Sequence, residues 1–263
     1  MRIPLYQVDA FAAELFRGNP AAVMPLERFL PDKTLLAIAA ENNLSETAFL
    51  VKDGMDYRLR WFTPAAEVPL CGHATLASAA VVLERLEAER DAVAFHTLSG
   101  LLTVKRAKDG YEMDFPAQGC RRCEAFDGVA EALRENPAEV WRNERFTLVL
   151  LEEAKAVRTL RPDFARLAQL DPHGVIVTAA GEDGYDCVSR FFAPNLGIHE
   201  DPVTGSAHCV LAPFWSRRLG KKRIRACQAS ARGGELLCNW ADDRIELQGK
   251  CYFYLEGVAT IPD

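Results

Sequence analysis

Two glycine-led segments hold most of the side chains whose types and spacing could do chemistry. One begins at Cys71 (CGHATLA) and the other at Thr204 (TGSAHCV). Each opens an apolar stretch typical of a buried helix, whose first turn offers free backbone N–H groups and a positive dipole end. A carboxylate binds well there, and glycine lets it approach the backbone closely. The residues that we assign to substrate binding on this basis are Gly72, Ala74, Thr75, Thr204, Gly205 and Ser206.

The alternative for both segments is structural: two ordinary helix caps, with Thr204 and Ser206 capping the second helix. One such segment alone would favour that alternative. The presence of two segments in matching positions favours binding.

His73 and Asp201 are candidate catalytic residues beside these segments. His73 stands just inside the first helix, where an imidazole can hydrogen-bond the substrate or relay a proton. Asp201 leads into the second segment, and its carboxylate could cap the helix or bind a substrate amine or hydroxyl. Its neighbour Glu200 is expected to be solvated.

Glu46 is the third candidate catalytic residue, in the segment NLSETAF between a predicted helix end and an apolar strand. One interpretation is an exposed turn glutamate, as most glutamates are. The other places it in a dry pocket, where a carboxylate becomes a usable acid and base near neutral pH. Asn19, in a turn after the first strand, is a further candidate ligand through its amide.

Cys71 supports a rival mechanism. A cysteine at a helix N-terminus is expected to have a lowered pKa and to react readily, so an amino-acid epimerase that uses this thiol is one alternative. A two-base racemase would need a second thiol in the matching segment, and residues 201–204 (DPVT) contain none. A non-catalytic protein that binds small acids is the other alternative.

Composition limits the partners of this chain. The net charge is −6 over 263 residues, whereas nucleic-acid binding requires a basic excess, so we expect no nucleic-acid partner. No uncharged apolar run reaches the roughly 18 residues of a membrane span, and the N-terminus does not have the pattern of a signal peptide. We therefore expect no membrane contact and a cytoplasmic location.

The cysteines agree with a reducing compartment, since eight of them are scattered along the chain. Cys120 and Cys123 form a close pair, but a zinc site of this kind needs a second pair, which the sequence does not contain. We therefore expect no metal, and the role of this pair stays open.

An internal duplication organises the chain. The segment RWFTP at residues 60–64 recurs 130 residues later as RFFAP at 190–194, and a glycine-led segment follows each copy. A Pro-Asp pair upstream also repeats. The shared order indicates two similar halves. The predicted domains are residues 1–117 and 118–263, divided near 116–124, with the last strand able to pack on the first domain.

Each half is predicted to surround one buried helix with short strands. Residues 5–11, 48–51 and 57–62 carry strand-like patterns. Residues 72–86 and 205–219 are apolar on nearly every face, as a buried helix is. The predicted fold class is α+β, with two pseudo-symmetric domains, each a β-barrel around a central α-helix.

Together the motifs resemble the PhzF-like phenazine-biosynthesis family. The matching segments are FRGNPAAV from Phe16, NLSETAF from Asn43, RWFTP from Arg60, CGHATLA from Cys71 and DPVTGSA from Asp201. The resemblance implies the diaminopimelate-epimerase-like fold, with the active site between two barrel domains. The characterised phenazine member of the family moves a proton between ring carbons of a dihydro-hydroxyanthranilate without a cofactor.

By this resemblance Glu46 corresponds to the proton-shuttling glutamate, and His73 and Asp201 take the family's histidine and aspartate positions. The related epimerases use one cysteine in each half, from which this chain departs because it has only Cys71. Family members commonly form homodimers. We therefore expect a homodimeric, cofactor-independent isomerase that moves a proton within a small carboxylate-bearing metabolite. Neither the substrate nor a role in phenazine synthesis follows from the resemblance.

Overall fold

The computed structural model describes residues 1–123, 127–171 and 173–261. Strands dominate, and the helices are few and short. The strands are β1 (Arg2–Ala10), β2 (Asn19–Leu26), β3 (Glu46–Asp53), β4 (Asp56–Phe62), β5 (Glu67–Val68), β6 (Ala92–Thr97), β7 (Gly100–Ala107), β8 (Gly110–Pro116), β9 (Arg121–Cys123), β10 (Glu139–Arg142), β11 (Thr147–Leu150), β12 (Val175–Ala180), β13 (Cys187–Ala193), β14 (Ile198–Asp201), β15 (Arg223–Gln228), β16 (Gly234–Ala241), β17 (Arg244–Gly249) and β18 (Cys251–Thr260). The helices are α1 (Asp32–Asn42), α2 (Gly72–Val81), α3 (Val129–Leu133), α4 (Ala154–Thr159), α5 (Phe164–Leu170) and α6 (Gly205–Leu219).

This content of strands and helices confirms the mixed class predicted from the sequence. Two compact units are present. The first contains Met1–Asp114 and Gln248–Asp263, and the second contains Phe115–Leu247. Residues 124–126, 172, 262 and 263 of the predicted second domain lie outside the described residues, and so does the end of the predicted 116–124 boundary. No helix in the described ranges is long and apolar enough to span a membrane.

The first unit is built on a sheet with buried parallel strands at its centre. β1 pairs antiparallel with β18 and with β2, and β3 lies parallel to β2. β4 is antiparallel to β3, β6 is parallel to β4, and β7 and β8 continue antiparallel. The first six residues of β2 and of β3 are all buried, which is why these strands have continuous apolar runs and not an alternating pattern.

Helix α2 is the buried helix of the first unit. It contacts β1, β2, β3, β7 and β18, and each residue from His73 to Val81 is buried. The sequence predicted one regular helix over residues 72–86, but the last turn, Val82–Leu86, widens to π geometry. This turn carries Glu84 and Arg85, which bind Tyr111 and Glu256, so the helix ends where charged side chains reach the surface.

The second unit repeats the plan of a buried helix against a sheet. β9, β10 and β11 pair antiparallel in turn, β12 is parallel to β11, and β13 is antiparallel to β12. β15 lies parallel to β13 and antiparallel to β16. Helix α6 spans the predicted residues and packs on β15 and β16. It ends at Gly220, whose φ of 64° lies in the left-handed region that glycine adopts without strain.

Candidate active site

Four candidate residues of the first unit meet where the parallel strands begin and α2 starts. Asn19 is the first residue of β2, and Glu46 is the first residue of β3, opposite Ala21 in the register. Cys71 is the N-cap of α2, and His73 is its second residue. Because β2 and β3 start at the same edge, their first side chains lie beside the helix start.

His73 is the centre of this cluster. Its Nε2 lies 3.1 Å from Oε2 of Glu46. Its Nδ1 lies 3.2 Å from Nδ2 of Asn19 and 3.4 Å from Sγ of Cys71. A neutral ring protonated at Nε2 accepts at Nδ1 from the Asn19 amide and the Cys71 thiol, whereas a protonated ring donates from both nitrogens. The Asn19 Nδ2 cannot accept from a protonated Nδ1, so only the Cys71 sulfur serves as an acceptor there when the ring is protonated.

The facing atoms of Glu46 and His73 are buried without a hydrogen bond. The side chains are 11% and 6% exposed. Within the described ranges, neither Glu46 Oε2 nor His73 Nε2 has a partner with hydrogen-bond geometry, so their 3.1 Å contact is a close approach with the wrong angle. Buried polar atoms are rarely left in this state, and a bound substrate group would supply the missing partner. The exposed-turn interpretation of Glu46 is therefore wrong, because strand β3 starts two residues earlier than predicted and includes it.

The electrostatics of the cluster favour a protonated imidazole. Burial lowers the pKa of His73, but the neighbouring Cys71 and Glu46 raise it more, so it lies well above the ordinary histidine value. The Cys71 thiol changes in the direction opposite to the prediction. Burial, followed by the charge of Glu46, raises its pKa to about 11. The effect of the helix start is smaller than the cost of placing a thiolate away from water.

The remaining candidates at the start of α2 are engaged with the helix itself. The Thr75 hydroxyl donates to the Cys71 carbonyl at 2.6 Å, and the Ala74 backbone N–H hydrogen-bonds the Cys71 sulfur. Gly72 is half-buried. Thr75 is fully buried, so its side chain supports the helix start and presents no free hydroxyl to a ligand.

In the second unit, Asp201 and Thr204 are joined by a short loop. The Thr204 hydroxyl donates to Oδ2 of Asp201 at 2.5 Å. Thr204 is the N-cap of α6, but its side chain makes no capping hydrogen bond, so the alternative interpretation, in which it caps the helix through its hydroxyl, is wrong. The hydroxyl donates to the Asp201 carboxylate instead. Gly205 is buried, and Ser206 is half-buried.

Gln228, on β15, fixes this loop, and no sequence motif indicated it. Its Oε1 accepts the Thr204 backbone N–H at 2.9 Å, and its Nε2 donates to the Asp201 carbonyl at 2.7 Å. The side chain is buried. No local signal marks a glutamine that lies 24 residues beyond the loop it holds, so only the tertiary structure identifies it.

The prediction that Glu200 is solvated is also wrong. Its carboxylate takes two parallel hydrogen bonds from Arg190, at 2.7 and 2.8 Å. Arg60 of the first unit makes the same bidentate contact with Glu67, at 2.7 Å twice. The side-chain hydrogen bond to Glu67 is the main cause that raises the pKa of Arg60.

These two Arg–Glu pairs occupy equivalent places in the two units. Arg60 lies over the Phe62 ring, 5.1 Å from its centre, and Arg190 lies 5.0 Å from the centre of the Phe192 ring. In each unit the glutamate stands five residues before the glycine that opens the buried helix. The repeated RWFTP and RFFAP segments were the signal for these pairs. Because bidentate pairs fix orientation as well as distance, each pair holds the segment that leads into a helix start.

Glu46, Cys71 and His73 also form a set of potential metal ligands. Their donor atoms lie within 4.8 Å of one another, and all three residues are buried. An ion bound at Nδ1 of His73 would have to replace the contacts with Asn19 and Cys71, and it would have to displace the proton of a thiol whose pKa is raised. The expectation that the site works without a metal stays a prediction.

Comparisons with known proteins place the chain in a family. The family model PhzC-PhzF, described as phenazine biosynthesis-like protein, matches residues 8–260. An uncharacterized isomerase of Pseudomonas aeruginosa is 51% identical over 257 residues and is matched over 98% of both chains. A crystal structure of a PhzF-family phenazine biosynthesis protein from Enterococcus faecalis has a TM-score of 0.95 at 44% identity, with 99% of this chain and 100% of that chain covered.

The fold extends to more distant proteins. A predicted epimerase of Pseudomonas aeruginosa, 22% identical, has a TM-score of 0.74 with 100% of both chains covered. At this identity the likeness concerns the fold alone. The family model and the relative from Pseudomonas aeruginosa, in contrast, both span nearly the whole sequence. The chain therefore belongs to the PhzC-PhzF family of phenazine biosynthesis-like proteins.

Proposed function

We propose that this protein is a cofactor-independent isomerase that moves a proton within a small carboxylate-bearing substrate, with Glu46 as the proton shuttle. The observation that carries the proposal is the buried Glu46–His73 contact, in which both facing atoms need a hydrogen-bond partner. A substrate whose C–H or N–H lies against Glu46 would complete it. The relative from Pseudomonas aeruginosa is also named an isomerase, which agrees with this class of reaction.

In this proposal Glu46 takes a proton from one substrate atom and returns it to another. His73 holds the substrate carboxylate through its Nε2–H and supplies or takes up a proton as charge develops, since its pKa is raised. Asn19 and Cys71 orient the ring through Nδ1. One positioned acid–base group contributes about 10²- to 10⁴-fold to rate, so most of the turnover would depend on Glu46.

We further propose that the active site lies between two domains, each a β-barrel around its central helix, so that Asp201 faces the same substrate as Glu46. The helix starts at Gly72 and Gly205 would bind its carboxylate through their free N–H groups. Two features support a role for the second unit: the pairing of Asp201 with the Thr204 hydroxyl, and the rigid loop that Gln228 holds. We also propose that the protein is a homodimer located in the cytoplasm. The eight free cysteines agree with that location.

An epimerase based on Cys71 is a second candidate, favoured by the 3.4 Å contact between its sulfur and His73. Two observations weaken it. The pKa of the thiol is raised to about 11 by burial, so little thiolate is present near neutral pH. The N-cap position of α6, which matches that of Cys71, holds Thr204, and its hydroxyl already donates to Asp201.

The test is a screen of small carboxylic acids with the full-length protein in deuterium oxide, with mass detection of deuterium uptake and of isomer formation. The substrate found this way is then given to Glu46→Gln, which keeps the shape of the side chain and removes the acid–base group. Glu41→Gln, an exposed glutamate at the end of α1, is the matched control. We expect at least a 10²-fold loss in the first variant and none in the second.

Each outcome separates the candidates. Full deuterium exchange by Glu46→Gln would refute the proposed shuttle. Activity that vanishes in Cys71→Ser but survives in Glu46→Gln, with inversion of a stereocentre, would establish the thiol epimerase. Ligands that bind the native protein but acquire no deuterium would identify a binding protein without turnover.

A further inference from the structure

A cleft of about 760 Å³ is lined only by residues of the second unit. None of the residues proposed for proton transfer lines it. Four of its nine lining residues are arginines, against one carboxylate, that of Glu144. The arginines are Arg121, Arg142, Arg145 and Arg217. This local excess of positive charge stands in a chain whose net charge is −6, so it does not follow from the overall composition.

The cleft places like charges together on neighbouring strands. Arg121 on β9 stands directly opposite Arg142 on β10 in their antiparallel register. Like charges in that position destabilise a pair of strands. Arg142 also lies 3.6 Å from Asp171, which offsets one charge of the four.

The other three arginines have no carboxylate partner in the described part of the chain. Arg121, Arg145 and Arg217 are exposed and form no ion pair there. The next residues in the chain differ: Arg122 lies 4.0 Å from Glu139, and Arg218 also binds that carboxylate. Three of the four arginines that line the cleft are thus without a neutralising carboxylate in the described ranges, and this arrangement has an electrostatic cost that a bound anion would remove.

Two of these side chains have their position supported by aromatic rings. The guanidinium of Arg217 lies 4.9 Å from the centre of the Trp240 ring, and that of Arg145 lies 5.5 Å from the centre of the Phe146 ring. Such contacts restrict a long side chain without neutralising it. The planar guanidinium, with its fork of donors, matches phosphate and carboxylate oxygens in two-point contacts.

We propose that this arginine cleft binds a small, multiply charged anion, a metabolite with two or more phosphate or carboxylate groups. The cleft volume falls within the range of about 300–1,000 Å³ that is typical of small-molecule sites. A ligand with one carboxylate group would neutralise only one of the three uncompensated guanidinium groups. A ligand with several negative charges would contact them together. This site is independent of the proposed isomerase chemistry, since it uses none of those residues.

The experiment is calorimetric titration of the full-length native protein with pyrophosphate and, separately, with citrate, to distinguish phosphate from carboxylate ligands. The cleft variant is Arg121→Gln combined with Arg145→Gln and Arg217→Gln. The control variant removes three exposed arginines outside the cleft lining: Arg28, Arg161 and Arg223. Both variants lose three positive charges, and all six side chains are exposed, so neither substitution set disturbs the core.

We expect the native protein and the control variant to bind one of the two probes with similar affinity. The cleft variant should bind it about tenfold more weakly or worse. Binding should weaken in about 0.15 M salt, where charges are screened over about 8 Å. The proposal fails if the native protein binds neither probe at low salt, or if both variants lose affinity equally.

Discussion

The buried imidazole of His208 makes the stability of the second unit depend on pH. His208 is fully buried in the first turn of α6, where Nδ1 donates to the Thr204 carbonyl at 2.8 Å. Within the described residues its Nε2 has no hydrogen-bond partner. Burial lowers the pKa of His208 from 6.5 to about 4, against the smaller opposite effect of the Thr204 hydrogen bond.

The sign of the effect follows from which state binds the proton. Between pH 6.5 and about 4 the unfolded chain is protonated at this residue and the folded chain is not. The stabilising contribution is therefore complete above pH 6.5 and is lost as the pH falls toward 4. At about 1.4 kcal/mol per pH unit, the free energy of unfolding decreases by about 3 kcal/mol across that window.

The assay is urea unfolding of the native protein and of His208→Asn at several pH values in that window. Asparagine keeps an N–H donor but does not titrate, so the stability advantage of the native protein over the variant should shrink by about 3 kcal/mol as the pH falls from 6.5 to 4. His96→Asn is the control, because His96 is exposed and lies 3.2 Å from Asp56.

Two results would refute this reasoning. One is a constant difference in the free energy of unfolding between native protein and His208→Asn at every pH. The other is an NMR titration in which the His208 ring protonates near pH 6.5, as an exposed histidine does. Either would mean that the folded unit admits water or charge at a position where the structure is closed.

Two further substitutions test the side chains that fix the segment before each buried helix. Gln228→Leu removes both the acceptor of the Thr204 N–H and the donor to the Asp201 carbonyl, and it should cost about 2–4 kcal/mol in the free energy of unfolding by urea; Gln228→Glu should cost at least as much, because it buries a carboxylate oxygen against the Asp201 carbonyl, which also accepts, and a loss under about 1 kcal/mol in either variant would contradict the assignment. Arg190→Lys breaks a bidentate pair in which the arginine side chain is 10% exposed, so it should cost about 1–3 kcal/mol in the free energy of unfolding. The matched Arg60→Lys, 21% exposed, should cost under about 1 kcal/mol in the same measurement, and the reverse order would be inconsistent with burial as the cause.

Residues that follow local patterns were predictable from the sequence. Helix α6 begins and ends as predicted, because the apolar run starts after Thr204 and stops at Gly220. The cluster of Glu46 and His73 also came from recognisable segments, since both stand beside the starts of regular elements.

What the sequence did not reveal depends on contacts between distant segments. The pKa of Cys71 was expected to be lowered by its helix start, but the burial that raises it is created by strands far away in the chain. Glu200 was expected in solvent because its partner, Arg190, lies on the preceding strand and closes on it only when the sheet forms. Gln228 had no local signal at all, since a glutamine in a strand has the same pattern whether it faces a loop or water.

Each of the two units has a buried helix packed on a sheet, but the side chains at the start of that helix differ. The side chains of Thr75 and His208 each donate to the carbonyl of the N-cap residue four positions earlier, so both buried helices have a side-chain donor at their fourth residue. At the N-cap itself, one unit has Cys71 and the other has Thr204. An alcohol is a far weaker acid than a thiol, and this one is already a donor to Asp201, so it does not serve as a second base.

A two-base racemase needs a base on each face of the carbon that it inverts, and the second unit offers no thiol at the position that matches Cys71. The transfer of one proton between two atoms on the same face requires a single base, the role proposed for Glu46, which lies 3.1 Å from His73 in the first unit. In the proposed function the second unit orients the substrate, through a glycine at the helix start, the loop that Gln228 holds and the carboxylate of Asp201. This unequal distribution favours a one-base isomerase over a two-base racemase.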